Sequence, residues 1–105
     1  MGVHRITSEA ARYYAARERI LGSGILVLGT ASEKVRDLDK KTLEKCGDLA
    51  SILLPHSPGY AGKLMPTIAR LFWALAGVDE KEFKFSDLEE VENLVKELKK
   101  ELGVE

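Results

Sequence analysis

The sequence predicts an all-α fold, a compact bundle of four helices, or five if the first one breaks. Three observations predict it. Apolar residues recur at three- and four-residue spacing through most of the chain. Two stretches, "TASE" and "SDLE", have the form of capping boxes, where a hydroxyl and a carboxylate three residues apart satisfy orphan backbone N–H groups. Glycines and all three prolines fall between the periodic segments or at marked points within them.

The first helix is expected over about 8–28, with Thr7 or Ser8 as its cap and Ala10, Tyr13, Tyr14, Ile20 and Leu21 near helical spacing. "GSG" at Gly22–Gly24 opposes it, since each interior glycine costs about 1 kcal/mol against alanine. A notch or a break is expected there. Ser8, Ala15, Gly22 and Gly29 lie seven apart, so small residues form one stripe that lets another backbone come close.

The second helix is expected over about 31–54. The Thr30–Glu33 box opens it, Val35, Leu38, Thr42, Leu49 and Ile52 set its apolar stripe, and Pro55 ends it. The third is expected to run to residue 76. It starts near residue 58 if Ser57 caps it with Pro58 in its first turn, or at 66 if Pro66 opens it. Ile68, Leu71, Phe72 and Leu75 form its apolar face. The fourth, about 87–102, starts at the Ser86–Glu89 box. Leu88, Val91, Val95, Leu98 and Leu102 make its seam, Glu92 and Lys96 an i,i+4 pair, and Gly103 stops it. Phe83 and Phe85 alternate with charges in the connector before it, which reads as extended.

At 105 residues the chain is expected to form one helical domain, too small for separate cofactor and substrate domains. Net charge is −1, so no global basic signature for nucleic acid exists, but the charge is uneven. Residues 1–70 carry 11 Lys/Arg against 7 Asp/Glu, a net of +4; residues 71–105 carry 5 against 10, a net of −5. Cys46 is the single cysteine, so no intrachain disulfide forms. With no secretory leader and no long apolar run, a cytoplasmic protein without a membrane partner is expected. Glutamine is absent and Lys and Glu abound, a composition resembling that of thermophile proteins.

No catalytic or cofactor motif emerges. "SPGYAGKL" has Ser57 where a P-loop needs its first glycine and Leu64 where it needs a hydroxyl, and it follows a helix. A weaker anion-binding loop remains at Ser57, Gly59 and Lys63, and with His56 the same stretch is the candidate site if the chain is an enzyme. His4, Cys46 and His56 do not have metal-ligand spacing, so no metal is expected.

The basic half is the more informative. Arg5, Arg12 and Arg19 fall seven apart, with Arg17, Tyr13 and Tyr14 close in sequence; Arg36, Lys40 and Lys41 follow. Guanidiniums grip phosphate and tyrosines stack on bases, so these nine residues are the expected nucleic-acid contact, without sequence specificity. Ion pairing with Glu9, Glu18, Glu33, Asp37 and Glu44 is the competing reading. An excess of apolar surface predicts self-association or a protein partner through Ala15, Gly22, Gly29 and Trp73. The expected function is a small non-enzymatic subunit of a larger assembly. A homo-oligomeric scaffold or regulatory partner without nucleic acid is the alternative. In size and composition the chain is similar to small helical subunits of archaeal CRISPR interference complexes, a likeness that no single residue carries.

Overall fold

A computed structural model describes residues 2–79 and 81–104, with side chains from residue 8 onward. It is all-helical: α1 (Gly2–Glu33), α2 (Lys40–Leu53), α3 (Gly59–Leu75) and α4 (Leu88–Leu102), with short 3-10 turns at Val35–Asp37 and Leu54–His56.

Four α-helices are present among the described residues, and α1 does not break. It passes through Gly22–Gly24 and ends five residues beyond the expected stop. Gly24 explains the continuity. A Cβ there would sit 2.7 Å from Leu53 Cδ1, so the glycine is where α2 presses on α1. The Thr30–Glu33 box therefore closes α1 and does not open α2. The Ser32 hydroxyl donates back to the Leu28 carbonyl at 2.9 Å, a bond that belongs inside a helix. Asp39 is the cap of α2, its Oδ1 accepting from the Thr42 N–H at 2.8 Å. The same bond, with the Thr42 hydroxyl, holds the Asp39 carboxyl below the usual range.

Pro55 sits in the 3-10 turn that terminates α2. Pro58 takes the cap position of α3, and Pro66 lies inside it. Ser57 does not cap α3; its hydroxyl donates to the Leu53 carbonyl at 2.8 Å and so finishes α2. The cap of α4 lies one residue later than the expected box. Asp87 Oδ1 accepts from the Glu90 N–H at 3.0 Å. Gly103, at φ 69°, turns left-handed and ends α4.

The central helix is α2. Leu43, Cys46, Leu49, Ala50, Ile52 and Leu53 are buried on it, and it packs against all three other helices. It runs antiparallel to each. Gly24 of α1 meets Leu53, Trp73 of α3 meets Gly47, and Lys45 meets Glu97 and Glu101 of α4. At the other end, the Lys34 ammonium donates to the Leu102 carbonyl at 3.2 Å. Helices α1, α3 and α4 thus point the same way, with α3 and α4 on different sides of α2.

The connector between α3 and α4 crosses α2 and, among the described residues, is held there by four polar contacts. The Lys84 N–H donates to the buried Ser51 hydroxyl at 2.7 Å, His56 Nε2 lies 3.1 Å from the Ser86 carbonyl, and Lys81 reaches Glu44 and Asp48 at 2.8 Å each. Partial burial lowers the Lys81 pKa, but the hydrogen bonds to Asp48 and Glu44 outweigh it and the net shift is upward.

Candidate interaction surface

Helix α1 is 32 residues long, about 48 Å at 1.5 Å per residue, and the molecule measures 54 × 28 × 21 Å. Most of its burial comes from Ile20, Gly24, Val27, Leu28 and Ala31, all in its second half. Every residue from Ser8 to Ala15 is exposed, so that stretch projects as an arm. Tyr13 and Tyr14, near helical spacing in the sequence and read there as base-stacking groups, stand on the arm at 50% and 55% exposure. The helical spacing was real there, but the globule has ended before it reaches them.

Helix α3 corrects a second expectation. Its buried face is Met65, Ala69, Phe72 and Trp73, continued by Ala76 at its C-cap, whereas Leu71 and Leu75 are 56% and 47% exposed. Trp73, expected at a partner interface, is spent on the chain's own core. It is 3% exposed, its indole fills the space above Gly47, and its Nε1 donates to Asp48 Oδ1 at 3.0 Å. Phe83 covers it, ring centroids 5.6 Å apart. Because α3 carries two apolar stripes and turns the Trp73 stripe to α2, the Leu71 stripe is left facing outward.

That outward stripe and α1 bound an apolar groove of about 240 Å³. Leu28, Met65 and Phe72 are buried at its base, and Ile25, Gly29, Ser32, Ile68 and Leu71 complete the lining. Leu26, 55% exposed, stands on α1 beside Ile25. Ala15, Gly22 and Gly29 are all exposed, and a Cβ at Gly22 or Gly29 would meet nothing within 4 Å. The small-residue stripe therefore plays no part in the chain's own packing; Gly24, which the sequence reading took only as half of the helix-opposing "GSG", plays it instead. The signal for Gly24 was a glycine four residues from Ile20, on the core side.

The basic residues do not converge. Arg12 and Arg19, seven apart, share the α4 side of α1, where Arg19 borders a cleft with Glu92, Lys96 and Lys99. Arg17 lies five residues from Arg12, about 140° round the helix, and faces elsewhere. The side chain of Arg5 is outside the described residues. Arg36, Lys40 and Lys41 are exposed at the far end of α1, more than about 20 Å along the axis from Arg19. Among the described residues, Arg12, Arg17 and Arg19 make no ion pair; the pairs that form are Lys45 with Glu97 and Glu101, Lys81 with Glu44 and Asp48, and Lys96 with Glu92. Glu101 and then Glu97 hold the Lys45 pKa above its ordinary value.

The loop at 56–63 does not assemble an anion cradle. The Ser57 hydroxyl is spent on Leu53, its carbonyl faces Gly62, and Gly59 and Lys63 are exposed without closing on it. His56 serves the connector. Cys46 is fully buried, and burial, then the charge of Glu101, pushes its thiol up to about 12. Among the described residues no three His, Cys, Asp or Glu side chains gather as metal ligands, and no helix is long and apolar enough to cross a membrane.

The chain is 64% identical to a protein of Archaeoglobus fulgidus over 103 residues, 98% of this chain and 95% of that one. The two belong to one family. The archaeal relative carries the description "uncharacterized protein". No family model and no solved structure matches the chain.

Proposed function

We propose that this protein is a small, non-enzymatic helical subunit that docks to protein through the α1/α3 groove and the outer face of α1. The groove carries the reading. Ile25, Leu26, Leu71 and Leu75 are each about half exposed, and completing the burial of each is worth about 1 kcal/mol. Such a patch beside a glycine-lined helix is what a partner helix needs to seat. Affinity purification from the native cells tests it. A stoichiometric chain, either a second copy or another protein, should be recovered, and Leu71→Glu should release it. Recovery of a lone monomer in both cases would overturn the reading.

A second reading, contact with nucleic-acid backbone, is supported by one observation: Arg12 and Arg19 lie on one exposed face without carboxylate partners among the described residues. Titration with single- and double-stranded nucleic acid at low and raised salt tests it, since phosphate contact must appear at low salt first.

A further inference from the structure

The α1/α3 groove and the projecting arm are an opening and an insert on the same chain. We infer that two copies pair through antiparallel α1 helices, each laying its Ser8–Ala15 arm beside the other's groove. This rests on the docking reading above and names its partner as a second copy.

The first argument is where the glycines stand. Gly22 is two residues from Gly24, about 200° round the helix, so it points away from the core. Each helical glycine costs about 1 kcal/mol, and nothing in the chain's own fold approaches Gly22 or Gly29. A second helix backbone would.

The register is self-complementary. With the two-fold axis between Glu18 and Arg19, Ala15 faces the partner's Gly22 and Ser8 faces the partner's Gly29, so small residues oppose small residues. Ala11 then lies over the partner's Leu26. Tyr14 and Ser32 are eighteen residues apart, five whole turns, so Tyr14 stands on the groove side of α1. A two-fold axis sets groove side against groove side, and the exposed Tyr14 ring comes to the partner's Ile25.

The area requires the groove as well as the seam. The overlap from Ser8 to Gly29 is about 32 Å long. A specific interface takes about 800 Å² from each partner, some 20–30 residues a side. The outward half of this overlap falls short of that number, and the groove wall formed by Ile68 and Leu71 is needed to approach it. Two unfavourable contacts are built in: near the axis the two Glu18 carboxylates meet on the groove side and the two Arg19 guanidiniums on the α4 side.

The test combines three measurements. Ala15→Cys and Gly22→Cys chains, mixed under mild oxidation with diamide, should cross-link to each other, while neither alone should. A disulfide needs Cα atoms within about 7 Å, and residues 15 and 22 of one chain are farther apart than that. Native Cys46 is buried and does not compete. Sedimentation should show a concentration-dependent dimer, weakened at least tenfold by Ile25→Glu and tightened severalfold by Glu18→Gln. Circular dichroism of each variant confirms that the helices persist. Cross-linking of Ala15→Cys to itself would overturn the antiparallel register, and a monomer at every concentration would overturn the pairing. If that monomer still co-purifies a different chain that Leu71→Glu releases, the docking reading survives; if it does not, both fall.

Discussion

The Trp73 indole occupies the space that a side chain on Gly47 would fill: a Cβ at Gly47 would lie 2.5 Å from Trp73 Nε1. The same nitrogen donates to Asp48, one residue along α2. Helix α3 is thus locked to α2 at a single glycine. This contact selects which of its two apolar stripes is buried.

Gly47→Ala should therefore destabilise the fold although alanine favours helix. Overpacking costs about 1–3 kcal/mol, and helix propensity returns about 1 kcal/mol. A net loss of up to about 2 kcal/mol is expected, read as a lower urea midpoint at unchanged slope.

Three glycines of α1 should respond in opposite senses. At dilution where the chain is monomeric, Gly22→Ala and Gly29→Ala should each stabilise by about 0.5–1 kcal/mol, since both face open space. Gly24→Ala meets Leu53 and should not gain. Thermal unfolding of the three variants separates these outcomes; equal gains at all three would mean that Gly24 is not where α1 and α2 touch.

The Cys46 thiol gives a pH dependence whose sign is fixed. Its folded pKa is raised to about 12, so below the unfolded value of about 8.5 it has no effect. Between about 8.5 and about 12 only the unfolded chain loses the proton, and stability falls by somewhat over 1 kcal/mol per pH unit. At pH 10 the wild type should have lost about 2 kcal/mol more than Cys46→Ala has, relative to each at pH 7. Thiol reagents at pH 8 should react only as the chain unfolds.

The helices were legible in the sequence because their apolar spacing and their stops are local properties. What faced which way was not. Leu71 and Trp73 both lie on apolar stripes of α3, and only the fit of Trp73 over Gly47, twenty-six positions away, decides between them. The start of α2 was misplaced for a similar reason. "RDLDKK" reads as a charged helix face, yet Asp39 is free to bond Thr42 because the chain has already left α1. The site was less legible than the fold. Arg12, Arg17 and Arg19 are neighbours in sequence, but the helix turns Arg17 away. The arm on which Arg12 stands was not foreseen, because nothing local says where a long helix runs past its core.

The connector should loosen when Ser51 is changed. Ser51 is buried, and its hydroxyl accepts the Lys84 N–H; in Ser51→Ala that donor is left without its partner. A loss of about 1–3 kcal/mol is expected, with amide exchange at Lys84 faster than at the core of α2. His56→Ala removes the next contact, to Ser86, and should speed exchange at the same end of the connector. Unchanged protection at Lys84 in both variants would show that Lys81, paired with Glu44 and Asp48, holds the connector alone.

The two basic patches can be separated by their salt dependence. If α1 meets a nucleic-acid backbone through Arg12 and Arg19, replacing both with alanine should reduce the log–log salt slope of binding by about 2. Affinity should fall uniformly across sequences, because phosphate contacts carry no base information. Arg36, Lys40 and Lys41 lie more than about 20 Å farther along the molecule. Their triple alanine variant lowers the slope only if the strand spans both patches, and short oligonucleotides should then lose that second increment. Binding absent at low salt, or a slope unchanged in both variants, would leave the arginines as ordinary surface charge.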